Sequence, residues 1–152
     1  MESHVVKTLS TLLVSLMLNT SAFADQYGGS LKKSPDSKAR FRINCFDDGN
    51  GAPAEVYLDV QGRTKSAPFV IMAILEKNGV TSSVTDKING DRKSSPAIIF
   101  RKGDGVYDLT ISKVTKKPTQ PDSKRKGVMV FSGTAHCVSG SGAHTGTDIV
   151  RR

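Results

Sequence analysis

The sequence predicts an all-β protein, either an antiparallel β-sandwich or a flattened barrel of about seven strands, with one disulfide. Short runs in which polar and apolar residues alternate recur along the chain, as expected of strands that bury one face. Clusters of Gly, Asn, Asp and Ser separate these runs, at intervals typical of turns between neighbouring strands. The 152 residues, of which 37% are hydrophobic, suit a single domain.

Residues 1–24 are predicted to be a cleavable secretory signal peptide. Lys7 supplies the positive charge, Leu9–Leu18 forms a short apolar stretch, and Ala22-Phe23-Ala24 has the small-x-small pattern of a cleavage site. We therefore expect cleavage after Ala24 and a mature protein that is periplasmic or secreted. The alternative is an uncleaved anchor, for which the apolar stretch is short.

The chain has two cysteines, Cys45 and Cys137, and both belong to the predicted mature protein. In an oxidising compartment an even pair indicates a structural disulfide. Both cysteines lie within alternating runs and no Cys-x-x-Cys motif is present, so a metal thiolate or a redox cysteine is the less favoured alternative. We expect the two Cα atoms to lie within about 7 Å of each other.

The first half of the mature chain is predicted to contain a flexible arm and then two strands. Residues 25–38 are rich in Gly, Ser and Lys, which favours the arm. A β domain is expected over residues 39–138, beginning with the alternating strands at 39–45 and 55–60. The cluster at 47–51 contains Asp-Gly and Asn-Gly pairs, which favour a tight turn between these strands.

The segment Pro68–Lys77 contains a continuous apolar run and fits either a buried strand or a buried helix. Ser66 and Gly79 could cap a helix at its two ends. The strand is favoured because Asn78-Gly79 and a β-favouring run at 80–85 follow at once, which is a strong hairpin signal.

The second half of the chain is predicted to hold three more strands, a basic loop and a tail. The loop over residues 115–126 contains two prolines and no large apolar residue, so we expect it to protrude and be mobile. The tail over residues 139–152 is rich in Gly and Ser. The strands are expected at 97–101, 107–111 and 128–138.

Two short segments resemble known families. Residues 103–113 (GDGVYDLTISK) resemble a late strand of an immunoglobulin-like module, which implies a β-sandwich. Residues 139–143 (SGSGA) resemble the lysozyme-contacting loop of small periplasmic lysozyme inhibitors, which implies a disulfide-linked barrel and lysozyme as a partner. Here the motif follows Cys137 instead of preceding it, and a formal charge of +8 would repel a cationic lysozyme.

The sequence contains no catalytic motif and predicts a protein that is not an enzyme and needs no cofactor. It has no Gly-x-Ser-x-Gly elbow and no phosphate-binding glycine loop. His136 and His144, joined by Asp148, are the candidates for a weak copper or zinc site, so a small metal-binding protein is an alternative function.

Charge gives the clearest functional indication. Lys and Arg number 22 against 14 Asp and Glu, and the excess falls in two segments, residues 32–42 and 113–126. Such blocks attract an anionic envelope component, for example lipopolysaccharide or an acidic glycan, or else an acidic protein. Export and the lack of interleaved aromatic residues argue against nucleic acid. We therefore predict an accessory or binding module with a basic face, whose anion-binding candidates are Lys116, Lys117, Lys124, Arg125 and Lys126.

Overall fold

The computed structural model describes residues 25–65, 68–116 and 127–152, and these residues contain strands and no helix. All strand pairs are antiparallel, as the sequence predicts, and the sheet is nearly closed into a barrel, which is one of the two architectures that the sequence leaves open. There are ten strands where about seven were expected. They are β1 (Asp25–Leu31), β2 (Lys38–Phe46), β3 (Pro53–Leu58), β4 (Gln61–Gly62), β5 (Phe69–Lys77), β6 (Val80–Asp86), β7 (Ile98–Phe100), β8 (Gly105–Thr115), β9 (Met129–Ser139) and β10 (His144–Arg151).

Strand β9 organises one half of the barrel. The sheet runs β6-β5-β8-β2-β10-β9-β3-β7, and both β1 and β4 also pair with β9. One edge of β9 pairs with β1 and then with β10, while its other edge pairs with β4 and then with β3. The other half consists of β2, β5, β6 and β8. Strand β10 joins the two halves, because His144 and Thr145 pair with β9 whereas residues 146–151 pair with β2.

The inward side chains of both halves form one continuous core. Tyr107 is the largest fully buried side chain among the described residues, and its ring meets that of Phe100 in β7 at 6.0 Å between centroids. The rings of Tyr27 and Phe41 approach to 5.3 Å between centroids, and Phe41 meets Phe131 edge to face at 6.2 Å.

The predicted disulfide between Cys45 and Cys137 is present and joins β2 to β9. Their Cα atoms are 5.7 Å apart and their sequence separation is 92 residues. Both cysteines are buried in the core. The bond therefore fastens the two halves of the barrel to each other beside the strand that crosses between them.

The hairpin prediction for Pro68–Lys77 is confirmed, and the helix alternative does not hold. Phe69–Lys77 forms β5, which pairs with β6 through the two-residue turn Asn78-Gly79. Both turn residues have positive φ, 52° and 76°, as a type I′ hairpin turn requires.

Parts of the predicted flexible arm and of the predicted tail are strands of the barrel. In the predicted arm, residues 25–31 form β1, because Tyr27 and Leu31 bury their side chains in the core. In the predicted tail, residues 144–151 form β10, whose main chain pairs with both β9 and β2. Its sequence is too polar for the alternation to be recognised, because strand pairing there depends on main-chain hydrogen bonds more than on apolar side chains.

The predicted signal peptide, residues 1–24, lies outside the described residues, and so do residues 117–126 of the predicted basic loop. None of the residues that the structure describes forms a helix long and apolar enough to cross a membrane.

Candidate anion-binding end of the barrel

Four loops open at the same end of the barrel, because antiparallel strands alternate in direction. We call this the basic end. Its loops connect β1 to β2 (32–37), β4 to β5 (63–68), β6 to β7 (87–97) and β8 to β9 (116–128).

The formal charge of the loops differs sharply between the two ends. At the basic end, the described loop residues include eight Lys or Arg, all exposed, against two Asp. At the opposite end, the loops 47–52, 78–79, 101–104 and 140–143 hold only two cations against three Asp. The protein is therefore electrostatically polarised along the barrel axis. The eight cations of the basic end are Lys32, Lys33, Arg63, Lys65, Lys87, Arg92, Lys93 and Lys116.

Lys113, at the end of β8, ties two of these loops together. Its Nζ atom donates hydrogen bonds to the main-chain carbonyls of Lys32, Ser34 and Gly127, and it lies 5.1 Å from the centroid of the Phe69 ring. Burial lowers the pKa of this ammonium group. The two basic segments that the sequence shows far apart thus meet at one point, and Lys113 itself is committed to holding them.

The other two loops are pinned by buried polar groups. The buried carboxylate of Asp86 accepts a hydrogen bond from the Gly62 amide at 2.7 Å, and the Gly62 carbonyl accepts one from the Gly90 amide at 2.7 Å. The Thr64 hydroxyl accepts a hydrogen bond from the Val130 amide at 2.8 Å, and this bond links the β4–β5 loop to the start of β9. The described parts of these loops are therefore held relative to one another by contacts that leave their cations exposed.

The ion pairs among the described residues lie elsewhere. Arg101 contacts Glu55 at 2.8 Å near the opposite end, and Arg152 contacts Asp108 at 3.0 Å on the outer face. Mutual repulsion among clustered cations of the basic end is relieved when an anion binds between them. This arrangement favours a polyvalent anionic ligand.

Only one of the five predicted anion-binding residues, Lys116, is described, and it is exposed at the base of the β8–β9 loop. Lys117, Lys124, Arg125 and Lys126 lie outside the described residues. Sequence reasoning missed five cations of this end, which are Arg63, Lys65, Lys87, Arg92 and Lys93. They are dispersed over two loops, and only the order of the strands shows that these loops share an end.

The two predicted histidine ligands are brought together on the outer face. The rings of His136 and His144 stack with their centroids 4.6 Å apart and their planes 7° from parallel, and Tyr57 stacks on the other side of His136 at 5.2 Å. Burial and the neighbouring His144 lower the pKa of His136, and the Asp59 carboxylate partly offsets this lowering.

This stacking is unfavourable for a shared metal ion. An imidazole binds a metal through a lone pair in its ring plane, and two nearly parallel planes do not converge on one point. Asp148 lines a different depression, with Arg42 and Val150, whereas Asp25 lines the one beside the histidines. Among the described residues, no group of three His, Cys, Asp or Glu side chains is placed to hold a metal ion.

The Ser-Gly-Ser-Gly-Ala segment forms the tight β9–β10 turn at the opposite end. The Ser139 amide donates to the Ala143 carbonyl at 2.8 Å, and the hydroxyl groups of Ser139 and Ser141 are 2.9 Å apart. The segment whose sequence resembles a lysozyme-contacting loop therefore lies at the end of the barrel opposite the basic end.

No protein-family model matches the chain, and comparisons with the curated proteins and with the solved structures also yield no match.

Proposed function

We propose that this protein is an exported, non-enzymatic binding module that holds an anionic partner at its basic end. The observation that carries the proposal is the convergence of eight exposed cations on four loops of one end, with the charge reversed at the other end. The Cys45–Cys137 disulfide is consistent with a periplasmic or extracellular location, since such bonds persist in oxidising compartments.

The charge distribution suits long-range attraction. Exposed charges interact over roughly 8–10 Å at physiological ionic strength, so cations on neighbouring fixed loops act together on one ligand. An extended polyanion, such as an acidic glycan or a lipopolysaccharide core, can contact several of them at once and release the counterions that they hold. A single small anion would gain much less, because each exposed cation alone contributes little.

The proposal is tested with immobilised heparin and with lipopolysaccharide as probes. A triple variant, Lys33→Gln with Lys65→Gln and Lys93→Gln, removes one cation from each of three loops of the basic end. A matched triple variant, Arg40→Gln with Arg42→Gln and Lys102→Gln, changes the net charge equally on other surfaces. We expect the first variant to lose at least tenfold in affinity and the second to lose less than threefold.

Two results would overturn the proposal. If both triple variants lose affinity equally, attraction depends on net charge and no site exists. If neither loses affinity, the basic end is not the binding surface. Circular dichroism of each variant establishes that it is folded before its affinity is compared.

A further inference from the structure

We infer that the partner of the basic end is the surface of an anionic lipid layer, into which Ile88 inserts while the surrounding cations bind the headgroups. This inference rests on the proposed function and specifies its ligand. It follows from the way in which the β6–β7 loop presents one large apolar side chain among lysines and arginines.

Ile88 is the most exposed large hydrophobic residue described, at 63% of its full accessibility. Two residues close to it in the chain, Asp86 and Asn89, are held inward. Asp86 is 4% exposed and accepts the Ile88 amide at 3.1 Å, and Asn89 is 9% exposed and donates its side-chain amide to the carbonyl of Phe69. The loop is therefore anchored on both sides of Ile88 by hydrogen bonds to and from the buried side chains of Asp86 and Asn89.

The rest of the loop is anchored as well. The Ser95 amide donates a hydrogen bond to the Val60 carbonyl at 2.8 Å, and the Ser95 hydroxyl accepts a hydrogen bond from the Val60 amide at 3.1 Å. The Lys93 amide donates to the Asp91 carboxylate at 2.9 Å. Because these contacts hold the loop in one conformation, little further ordering is needed when a surface binds it.

Cations lie on both sides of Ile88 along the loop, and another lies next to Gly90. Lys87 precedes it, Arg92 and Lys93 follow in the same loop, and Lys65 packs against Gly90 from the neighbouring loop. A second exposed apolar residue at this end, Val128, is 46% accessible and follows Gly127, whose amide donates to the Lys33 carbonyl at 3.4 Å.

This combination distinguishes a lipid surface from a soluble polyanion. Binding to a glycan or to free phosphate depends on charge and hydrogen bonds, to which an exposed isoleucine contributes nothing. Interfacial binding increases with both the buried apolar area and the attraction of cations to anionic lipids. The basic end supplies both. The exposed Ile99 serves as a control, because it pairs with Tyr57, whose partner His136 lies seven residues along β9 from its start at Met129.

The chain has no tryptophan, so one introduced indole reports on its own environment. The probes are vesicles of phosphatidylcholine with and without phosphatidylglycerol, and heparin, applied to the exported protein after removal of the signal peptide. The variant Ile88→Trp should show a blue-shifted emission only with the anionic vesicles, and Ile99→Trp should show no shift. The variant Ile88→Ser should lose about tenfold in vesicle affinity and keep its heparin affinity, and Ile99→Ser should keep both.

The outcomes separate this inference from the proposed function. Binding to heparin without binding to anionic vesicles overturns the lipid inference and leaves an anionic glycan or an acidic protein as the partner. Vesicle binding that Ile88→Ser does not weaken, or an Ile88→Trp emission that does not shift, overturns the insertion. Binding to none of the anionic probes overturns the proposed function itself.

Discussion

The ammonium group of Lys113 donates a hydrogen bond to the main-chain carbonyl of Ser34 at 3.2 Å, across 79 residues of sequence. The same group also donates to the carbonyls of Lys32 and Gly127. One lysine thus fastens the β1–β2 loop and the start of β9 to the end of β8. Lys113 belongs to the basic segment 113–126 that the sequence predicts to attract anions, but in the structure its ammonium group holds the main chain of neighbouring loops together.

Replacing Lys113 with Met should therefore lower the free energy of unfolding by about 1–2 kcal/mol, because three carbonyl acceptors lose their charged donor. Urea denaturation followed by circular dichroism measures the effect. The control is Lys116→Met, an exposed lysine nearby, which should change the stability by less than about 0.5 kcal/mol. Equal effects of the two substitutions would show that Lys113 is only a surface charge.

Tyr27 should be a major contributor to stability, although it lies in the segment expected to be a flexible arm. It is 5% exposed, packs on Phe41, and donates its hydroxyl to the Asp59 carbonyl at 2.5 Å. We expect Tyr27→Ala to destabilise the protein by about 3–5 kcal/mol, as removal of a buried aromatic residue does. Its exposed neighbour Gln26 is the control, and Gln26→Ala should be nearly neutral in the same denaturation experiment. A small effect of Tyr27→Ala would mean that β1 does not contribute to the stable core.

The stacked histidines should make stability fall at mildly acidic pH. Burial and His144 lower the pKa of His136 in the folded protein below its ordinary value of 6.5, while Asp59 opposes this shift. As pH falls through about 6.5, the unfolded chain therefore takes up a proton that the folded protein resists, and unfolding becomes more favourable. Denaturation at about pH 7.5 and 5.5 measures the difference. His136→Phe, which keeps a ring between Tyr57 and His144, should reduce it.

A titration of His136 by NMR checks the same prediction directly. Its midpoint should lie below 6.5 in the folded protein. A midpoint above that value would reverse the expected dependence, since stability would then increase as the pH falls.

The Cys45–Cys137 disulfide should account for a large part of the stability. The two cysteines are separated by 92 residues in the sequence. In the chain-entropy model, closing a loop of that length lowers the entropy of the unfolded chain and raises its free energy by about 4–5 kcal/mol. The double substitution to Ala avoids a free thiol and should lower the melting temperature by roughly ten degrees or more. Scanning calorimetry of both proteins gives the comparison. A melting temperature within a few degrees of the parent would show that the strand pairing alone holds the two halves together.

The sequence predicts the fold well where a strand buries apolar residues on one face. Buried apolar residues alternate with outward-facing residues in β2, at Phe41, Ile43 and Cys45, and in β8, at Tyr107, Leu109 and Ile111. Asn78-Gly79 marks the hairpin between β5 and β6. Strands β1 and β10 escape recognition because Gly, Ser and Thr fill positions that pair mainly through the main chain. The partners of β1 in β9 lie about a hundred residues farther along the chain, and a local sequence pattern does not report such distant pairing.

The candidate site is predictable only in part for a related reason. The net charge and the two basic segments are visible in the sequence, but their meeting point at Lys113 is a consequence of strand order. Arg63 with Lys65 and Arg92 with Lys93 are only short basic pairs in the sequence, and they become part of a larger set only when their loops share an end. The anchoring of the loop on both sides of Ile88 depends on hydrogen bonds of the buried Asp86 and Asn89 side chains, which no hydropathy pattern shows.

Binding to a soluble polyanion should depend steeply on salt. Each cation that contacts the ligand releases a counterion, so the logarithm of the affinity falls linearly with the logarithm of salt concentration, with a slope that reflects the number of contacts. Neutralising Lys33, Lys65 and Lys93 should reduce that slope by about three, one for each lost contact. The matched variant at Arg40, Arg42 and Lys102 should keep the parent slope, because those side chains lie outside the basic end. Heparin affinities between about 50 and 200 mM salt, a range over which such contacts weaken by orders of magnitude, measure both slopes. An unchanged slope in the first variant, even with weaker binding, would mean that the three lysines act through the general field of the protein and do not contact the polyanion.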